Sequence, residues 1–286
     1  MIDTHLHVWD RSRSRYRWLD GAPEPLRSDH PLEQGLAALA PYGVERAILV
    51  QADETLDETT YLLELVAAEP RLAGAVCYLP LEDPDTVARE LPRLAATAGF
   101  VGVRNLSHDR PDPDWILGAE QRRSIGLLEE AGVPLDYVSV LPRHLENVVT
   151  LAGEHPGLTV VLDHLGKPPV GRDDDYRRWT DRLADAAALA NVVAKVSGIY
   201  PAEPAEPAEP AAGAVTPEQL DSVLTIALAT FGPDRLMLGS DWPVSTVSGG
   251  ADATMSVLVG AVDRLPREQA LALRRGTATR VYGLGA

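Results

Sequence analysis

The chain has 286 residues, of which 45% are hydrophobic and 24% charged, a composition typical of a globular protein with a substantial core. Its formal net charge of −16 argues against nucleic acids and anionic membranes as partners, because phosphate contacts need a basic surface. The single cysteine, Cys77, excludes a disulfide framework and a cysteine-based zinc site. It stands in an apolar run, which predicts a buried side chain.

No stretch of the sequence approaches the roughly 20 apolar residues of a membrane helix. The first residues show no basic segment followed by an apolar core, so no secretory signal peptide is predicted. We therefore expect a cytoplasmic protein that acts on a small-molecule substrate and binds neither membranes nor nucleic acids. Assembly into a homo-oligomer stays open at this point.

Eight short apolar runs, each bounded by turn residues, follow one another along the chain. They are rich in Val, Ile and Leu and mostly lack clean alternation, which is typical of strands that are covered on both faces. The predicted strands are 2–8, 45–52, 72–80, 101–107, 134–140, 159–166, 191–198 and 235–243.

Segments with helical spacing separate these strands, and three of them are well marked. Two are 57–69 and 143–155, where apolar residues recur on one helical face. A third helix begins at Thr216, with Pro217 at its first position and Gln219 completing a capping-box pattern.

Eight strands alternating with helices predict one α/β domain over residues 1–286, a (β/α)8 TIM barrel. An open doubly wound sheet is the alternative, but it usually has fewer strands, and no G-x-G-x-x-G follows the first strand. The low-complexity segment 201–214, rich in Pro, Ala and Glu, predicts an extended, solvated loop at the carboxyl end of the seventh strand.

Polar side chains at the carboxyl ends of the strands are the candidate functional groups, because TIM-barrel chemistry is carried there. In chain order these ends carry His5 and His7; Gln51; Arg104 and Asn105; Asp136 and Tyr137; Asp163 and His164, with Lys167 beyond; Lys195 and Ser197; and Ser240, Asp241 and Trp242.

Alternation along the first strand places His5 and His7 on one face. The other face carries Ile2, Thr4, Leu6 and Val8. This second set suits packing against helices, so both histidines are predicted to point into the barrel. Together with His164 and Asp241 at other strand ends, they predict a functional site.

The remaining histidines are expected at the surface, with His108 near enough to the fourth strand to approach the pocket. They are His30, His108, His144 and His155. The indoles of Trp18, Trp115 and Trp179 fit either the core or the pocket wall.

Several stretches resemble one family, the lactonase branch of the amidohydrolase superfamily, which contains L-fuconolactonase, L-rhamnonolactonase and 2-pyrone-4,6-dicarboxylate lactonase. They are DTHLHVWD, GVRN, VVLDHLGKPP, KVSG and DRLMLGSDWPV. The resemblance runs from residue 2 to about residue 284 and implies a (β/α)8 barrel that hydrolyses a lactone. Relatives commonly have histidine where Asn105 stands, so the resemblance implies a different substrate preference here.

The resemblance assigns the catalytic positions as well. His5 and His7 match its H-x-H, His164 matches DHLGKP and Asp241 matches GSDWP. Lactone hydrolysis needs a base for the attacking water, a stabilised oxyanion and a leaving ring oxygen. We interpret Asp241 as the general base and the three histidines as groups that polarise the carbonyl or hold one ion. The predicted substrate-binding residues are Gln51, Arg104, Asn105, Lys167, Trp9 and Trp242.

The resemblance also bears on metal binding, because this chain lacks residues that bind metal ions in other members of the superfamily. Metal-dependent members generally have a histidine on strand five, and the fifth strand here, PLDYVSV, has none. Binuclear members also have a lysine or glutamate on strand four, and the fourth strand here, VGVRN, has neither. No essential cofactor is therefore expected. One divalent ion, Zn or Mn, at His5, His7 and Asp241, with His164 as a further ligand, stays open. Two other functions also stay open: a metal-dependent decarboxylase and a non-catalytic binding barrel.

Overall fold

Eight parallel strands pair in chain order, so each strand lies beside its sequence neighbours. The structure, a computed structural model, describes residues 1–201 and 215–285. The strands are β1 (Ile2–Leu6), β2 (Arg46–Val50), β3 (Leu72–Cys77), β4 (Phe100–Asn105), β5 (Leu135–Val138), β6 (Val160–Asp163), β7 (Val192–Val196) and β8 (Leu236–Leu238). Each predicted strand is confirmed; every strand ends earlier than predicted, and β4 begins one residue earlier.

Contacts between the first and last strands close the sheet into a barrel. Leu6 forms a parallel bridge with Trp242, and the Thr4 hydroxyl donates to the carbonyl oxygen of Leu238 at 2.8 Å. The (β/α)8 barrel is thus confirmed and the open doubly wound sheet is wrong.

Helices connect the strands and cover the outside of the barrel. They are α1 (Leu32–Leu39), α2 (Leu56–Ala68), α3 (Pro84–Ala95), α4 (Ala119–Ala131), α5 (Pro142–Glu154), α6 (Asp173–Ala187), α7 (Pro217–Phe231), α8 (Gly250–Asp263), α9 (Arg267–Leu271) and α10 (Thr277–Val281). In the described part of the chain, no helix has the length and apolar character needed to cross a membrane.

The predicted helix starts have the expected chemistry. In α7 the Thr216 hydroxyl accepts from the amide of Gln219, whose side chain accepts from the Thr216 amide, so the capping box is confirmed. In the same way the Thr55 hydroxyl accepts from the amide of Glu58 at 3.1 Å and begins α2. The predicted loop 201–214 lies outside the described residues, except for its first residue.

Side chains of the barrel interior form a separate apolar cluster near the starts of the strands. Ile48, Val161 and Met237 belong to it, and Tyr282 and Leu284 from the C-terminal segment pack against them. Ile2 also belongs to this cluster, which includes Ala278 of α10, and so lies apart from Leu6 and Val8. The reason is a register shift between β1 and β2, which breaks strict alternation along β1. Leu6 and Val8 do pack in the outer core.

Two histidines expected at the surface are buried instead. His30 is 8% exposed, with its ring against Trp9 and Trp242 and its Nε2 donating to the carbonyl oxygen of Pro25 at 2.8 Å. His144 is 1% exposed and its Nδ1 accepts from the amide of Val140 at the start of α5. A backbone group at a turn gives each imidazole one partner, while Nδ1 of His30 and Nε2 of His144 have no hydrogen-bond partner among the described residues.

The remaining side chains follow the prediction more closely. His155 is half-buried beside Glu129, and Cys77 is buried as predicted. Trp179 belongs to the core, and Trp115 packs partly buried against it.

Candidate active site

The four predicted catalytic residues converge at the end of the barrel where the strands finish. His7, His164 and Asp241 line an open cavity of about 210 Å³. His5 is fully buried behind it, with its Nε2 3.1 Å from Nε2 of His7. The other lining residues are Trp18, Gln51, Ala52, Arg104, Leu106, His108, Asp109, Val138, Val140, Lys167 and Val244.

One carboxylate oxygen, Oδ1 of Asp241, is the point at which the imidazoles meet. It lies 3.6 Å from Nε2 of His7, 3.8 Å from Nε2 of His5 and 3.9 Å from Nε2 of His164. Nδ1 of His7 contacts the carbonyl oxygen of Val50 at 2.8 Å and must donate to it, because a carbonyl only accepts. A neutral His7 therefore presents an unprotonated Nε2 to the site.

The backbone is strained where these side chains begin. His164, Lys167 and Asp241 have φ of 57°, 55° and 54°, in the left-handed region that residues with a Cβ rarely adopt. Hydrogen bonds hold Asp241 there: its amide donates to the His5 carbonyl, and its carbonyl accepts from the Ser245 amide, both at 2.9 Å. Strain of this kind concentrates at functional sites, which supports the assignment of this cavity.

Gly198, just after β7, gives the site its space. Its φ is +53°, and an added Cβ would lie 2.5 Å from Nδ1 of His164 and 2.6 Å from Oδ2 of Asp241. Only glycine lets the backbone approach both groups this closely.

Replacing Gly198 with alanine is expected to lower kcat by roughly 100-fold or more, because displacements near 1 Å of reacting groups can cost this much. The matched control is Gly126→Ala in α4, where an added Cβ meets nothing within 4 Å. Turnover and thermal unfolding are measured for both variants. A Gly198 variant with normal kcat would contradict the described geometry.

Tyr200 is a site residue that the sequence did not single out. Its hydroxyl donates to Oδ2 of Asp241 at 2.9 Å, and its ring lies under the Lys167 ammonium, with Nζ 4.9 Å from the ring centroid. Tyr200 lies three residues after Ser197, the last polar residue of the predicted seventh strand, so a search limited to strand ends misses it. Tyr200 therefore contacts Oδ2 of the carboxylate, whereas the three histidines lie near Oδ1.

Burial and charge give the groups of the site different protonation states. Burial alone would raise the pKa of Asp241, but His164, His7 and Lys167 hold it well below its usual range. Burial lowers the pKa of His164 well below its ordinary value and that of His5 to about 3. At neutral pH the carboxylate of Asp241 is therefore ionised, the state a general base requires, and the imidazoles of His5 and His164 are neutral.

A buried ion cluster, formed by Lys195, Asp136, Asp163 and Arg104, lies behind His5. The Lys195 ammonium is 2.5 Å from Oδ2 of Asp136 and 3.2 Å from Oδ1 of Asp163, and Nε of Arg104 is 3.3 Å from Oδ2 of Asp163. Two cations thus offset two carboxylates. The strand ends indicated these residues as polar, but the sequence did not indicate that they pair.

The C-terminal segment contributes to the same cluster from the opposite end of the barrel. The Tyr282 hydroxyl donates to Oδ2 of Asp136 at 2.9 Å. Burial raises the pKa of Asp136 to about 6, whereas Lys195, His5 and Arg104 overcome the effect of burial on Asp163 and hold its pKa well below the usual range. Both carboxylates are therefore ionised at neutral pH.

The predicted substrate-binding residues divide into two groups. Gln51, Arg104 and Lys167 line the cavity, and His108 approaches it as anticipated. Asn105, Trp9 and Trp242 do not belong to its lining. The Asn105 amide donates to the Leu79 carbonyl at 3.1 Å, the Trp9 indole donates to the Ser28 carbonyl at 2.7 Å, and Trp242 packs against Gly35.

Trp18 lines the cavity in place of Trp9 and Trp242, and its indole donates to the Ala52 carbonyl at 2.7 Å. We therefore no longer assign substrate contacts to Asn105, Trp9 or Trp242.

The site has donors that fit one divalent ion. Ligand atoms of His5, His7 and Asp241 lie within 4.8 Å of one another, and two imidazole nitrogens with one carboxylate oxygen suit zinc or manganese. His164 groups instead with His5 and Asp163. Nε2 of His7 is free to coordinate, because its Nδ1 donates to a carbonyl.

Comparisons with known proteins agree with this architecture. Residues 2–284 match the amidohydrolase family model. The chain is 33% identical to L-fucono-1,5-lactonase from Burkholderia multivorans, over 99% of this chain and 96% of that protein. It is 30% identical to L-fucono-1,5-lactonase from Burkholderia ambifaria, over 87% of this chain and 82% of that protein.

A crystal structure of an amidohydrolase from Burkholderia multivorans with bound zinc superposes with a TM-score of 0.85 at 30% sequence identity, covering 99% of each chain. From its matched residues and its relatives, this chain belongs to the amidohydrolase family.

Proposed function

We propose that this protein is a hydrolase that opens a six-membered sugar lactone, with L-fucono-1,5-lactone or a close relative as its substrate. One observation carries the proposal: the buried, ionised carboxylate of Asp241 faces three imidazoles at the base of an open cavity. The two relatives named L-fucono-1,5-lactonase support the substrate class.

Asp241 acts as the general base in this proposal. A water beside its Oδ1 transfers a proton to the carboxylate as the water oxygen attacks the carbonyl carbon of the lactone. The tetrahedral intermediate then collapses, the bond between that carbon and the ring oxygen breaks, and the proton held by Asp241 passes to the leaving oxygen. The product is an open-chain hydroxy acid, and the carboxylate of Asp241 is restored.

Cavity groups with N–H donors stabilise the oxyanion and hold the substrate. Arg104 and Lys167 supply positive charge, and Nζ of Lys167 lies 3.9 Å from Oδ2 of Asp241. The Gln51 amide already donates to the carbonyl oxygen of Arg104 at 3.1 Å, which leaves its oxygen for a substrate hydroxyl. The Trp18 ring provides an apolar wall for one face of a sugar ring.

His5, His7 and Asp241 would hold a divalent ion, which when bound polarises the lactone carbonyl. We propose that the reaction does not depend on this ion, since Arg104, Lys167 and the imidazoles already supply donors.

Exhaustive chelation, verified by elemental analysis, is therefore expected to leave kcat within about twofold, a change well below that from losing one oxyanion donor. Apoenzyme and enzyme supplemented with zinc or manganese are assayed side by side. Loss of activity on chelation that returns with either ion would show that the metal is essential.

The proposed function is tested by an acid-release assay on a panel of sugar lactones and carboxylated pyrone lactones. Ring opening produces a carboxylic acid, so a pH indicator reports turnover. We expect a six-membered sugar lactone to be the best substrate. No acid release from any lactone, with CO₂ release from a carboxylated aromatic acid, would favour the decarboxylase alternative; binding without turnover would favour the non-catalytic barrel.

A further inference from the structure

The ammonium group of Lys195 ends inside the barrel, where it donates hydrogen bonds to Asp136 and His5 and forms an ion pair with Asp163. An ammonium has three N–H donors and no acceptor. The three neighbours are Oδ2 of Asp136 at 2.5 Å, Oδ1 of Asp163 at 3.2 Å and Nδ1 of His5 at 3.2 Å. Because Lys195 can only donate, Nδ1 of His5 accepts in this arrangement and carries no proton.

The proton of His5 then lies on the other ring nitrogen. Nε2 of His5 is 3.1 Å from Nε2 of His7, and in a neutral His7 this Nε2 is the acceptor, because Nδ1 of His7 donates to the Val50 carbonyl. The hydrogen bonds thus run in one direction, from Lys195 to His5, from His5 to His7, and from His7 to Val50. From this we infer that Lys195 is a positioning residue that fixes His5 in the tautomer with the proton on Nε2.

The opposite tautomer has poorer contacts. It would need Nδ1 of His5 to donate to Oδ1 of Asp163 at 3.3 Å and Nη1 of Arg104 to donate to Nε2 at 3.5 Å. It would also place the ammonium hydrogens of Lys195 against a protonated Nδ1. Oδ1 of Asp163 has no hydrogen-bond partner among the described residues, so its 3.3 Å contact with Nδ1 of His5 is not a formed hydrogen bond. Lys195 does form a hydrogen bond with Nδ1, which favours the proton on Nε2.

This tautomer decides what His5 can do in the site. A protonated Nε2 cannot coordinate a metal ion, and its N–H points to Nε2 of His7, the imidazole that lines the cavity. Metal binding through His5 first requires the proton to move to Nδ1, against Lys195. The role of His5 in lactone hydrolysis rests on the proposed function, whereas the tautomer of His5 does not.

The tautomer is measured directly by nitrogen NMR of the full chain labelled with ¹⁵N-histidine, after metal removal. The chain has seven histidines, and the His5 signals are assigned by their loss in His5→Gln. We expect Nε2 of His5 to be protonated and Nδ1 to be unprotonated. A proton on Nδ1, alone or with one on Nε2, would overturn the inference. Neither result depends on catalytic activity, so failure of the lactone assay is a separate outcome.

A second measurement tests the effect of Lys195 on zinc binding by calorimetry. In Lys195→Met the His5 proton is expected to move to Nδ1, where Asp163 accepts it. The zinc affinity is then expected to rise by roughly tenfold or more, which is the usual effect of a residue that contacts a metal ligand. Arg89→Met is the control, because it removes an exposed cation that neither lines the cavity nor contacts a candidate metal ligand. It should leave the tautomer unchanged.

If the single Lys195 variant does not fold, the double variant Lys195→Met, Asp136→Asn removes one charge of each sign and is used instead. The same gain in zinc affinity and the same tautomer change are expected. A gain no larger than that of Arg89→Met, or an unchanged tautomer, would overturn the inference.

Discussion

Replacing Asp241 with asparagine is expected to lower kcat by about 10²–10⁴-fold, the usual contribution of a general base. The amide cannot take the proton of the attacking water. The fold should persist, because asparagine tolerates the left-handed backbone that this position requires, with φ of 54°. The Tyr200 hydroxyl can still donate to the amide oxygen, so the orientation of the side chain is retained.

Steady-state kinetics and circular dichroism check this prediction. Asp85→Asn, an exposed carboxylate in the first turn of α3, is the control and should behave like the wild type. If the Asp241 variant turns over at a near-normal rate, Asp241 is not the base and the proposed mechanism fails.

Replacing Lys195 with methionine is expected to lower the free energy of unfolding by about 3–5 kcal/mol, the cost typical of removing one partner of a buried ion pair. The side chains of Lys195, Asp136 and Asp163 have no exposed surface, so solvent cannot screen the carboxylates that are left. Arg104 still contacts Asp163, but Asp136 keeps only the Tyr282 hydroxyl as a partner.

Denaturant unfolding of three proteins separates the charge effect from the loss of packing. The double variant Lys195→Met, Asp136→Asn should recover part of the lost stability, because it removes the unpaired carboxylate. Arg89→Met, which breaks an exposed pair with Glu90, should have little effect. A Lys195 variant no less stable than Arg89→Met would show that the buried ion cluster does not stabilise the fold.

The barrel could be predicted because its signals are local and repeated. Short apolar strands recur eight times between segments of helical spacing, and eight parallel strands covered on both faces are typical of a closed (β/α)8 barrel. The placement of His5, His7, His164 and Asp241 followed from the rule that strand ends carry the chemistry.

Residues next to the site were harder to place, since a strand end does not reveal where the next side chain turns. Arg104 and Asn105 are adjacent in β4, so alternation sends one into the barrel and the other outward, to the Leu79 carbonyl. Trp9 and Trp18 stand in one loop, and only the tertiary packing of that loop decides which indole reaches the cavity.

The contacts between charged side chains inside the barrel cannot be predicted from local sequence patterns. Lys195, Asp136 and Asp163 come from β7, β5 and β6, and Tyr282 comes from the C-terminal segment at the other end of the barrel. Their contacts depend on three-dimensional register, which strand periodicity does not encode. For this reason the sequence indicated the catalytic groups but not the network that supports them.

The central claim, that Asp241 activates water to open a sugar lactone, is tested most directly by following one six-membered sugar lactone by NMR with wild-type enzyme and Asp241→Asn at equal concentration. The wild type is predicted to convert the lactone to its open-chain acid far faster than the spontaneous reaction, and the variant should lose nearly all of this acceleration. Equal rates for the two proteins, or no acceleration by the wild type, would contradict the claim.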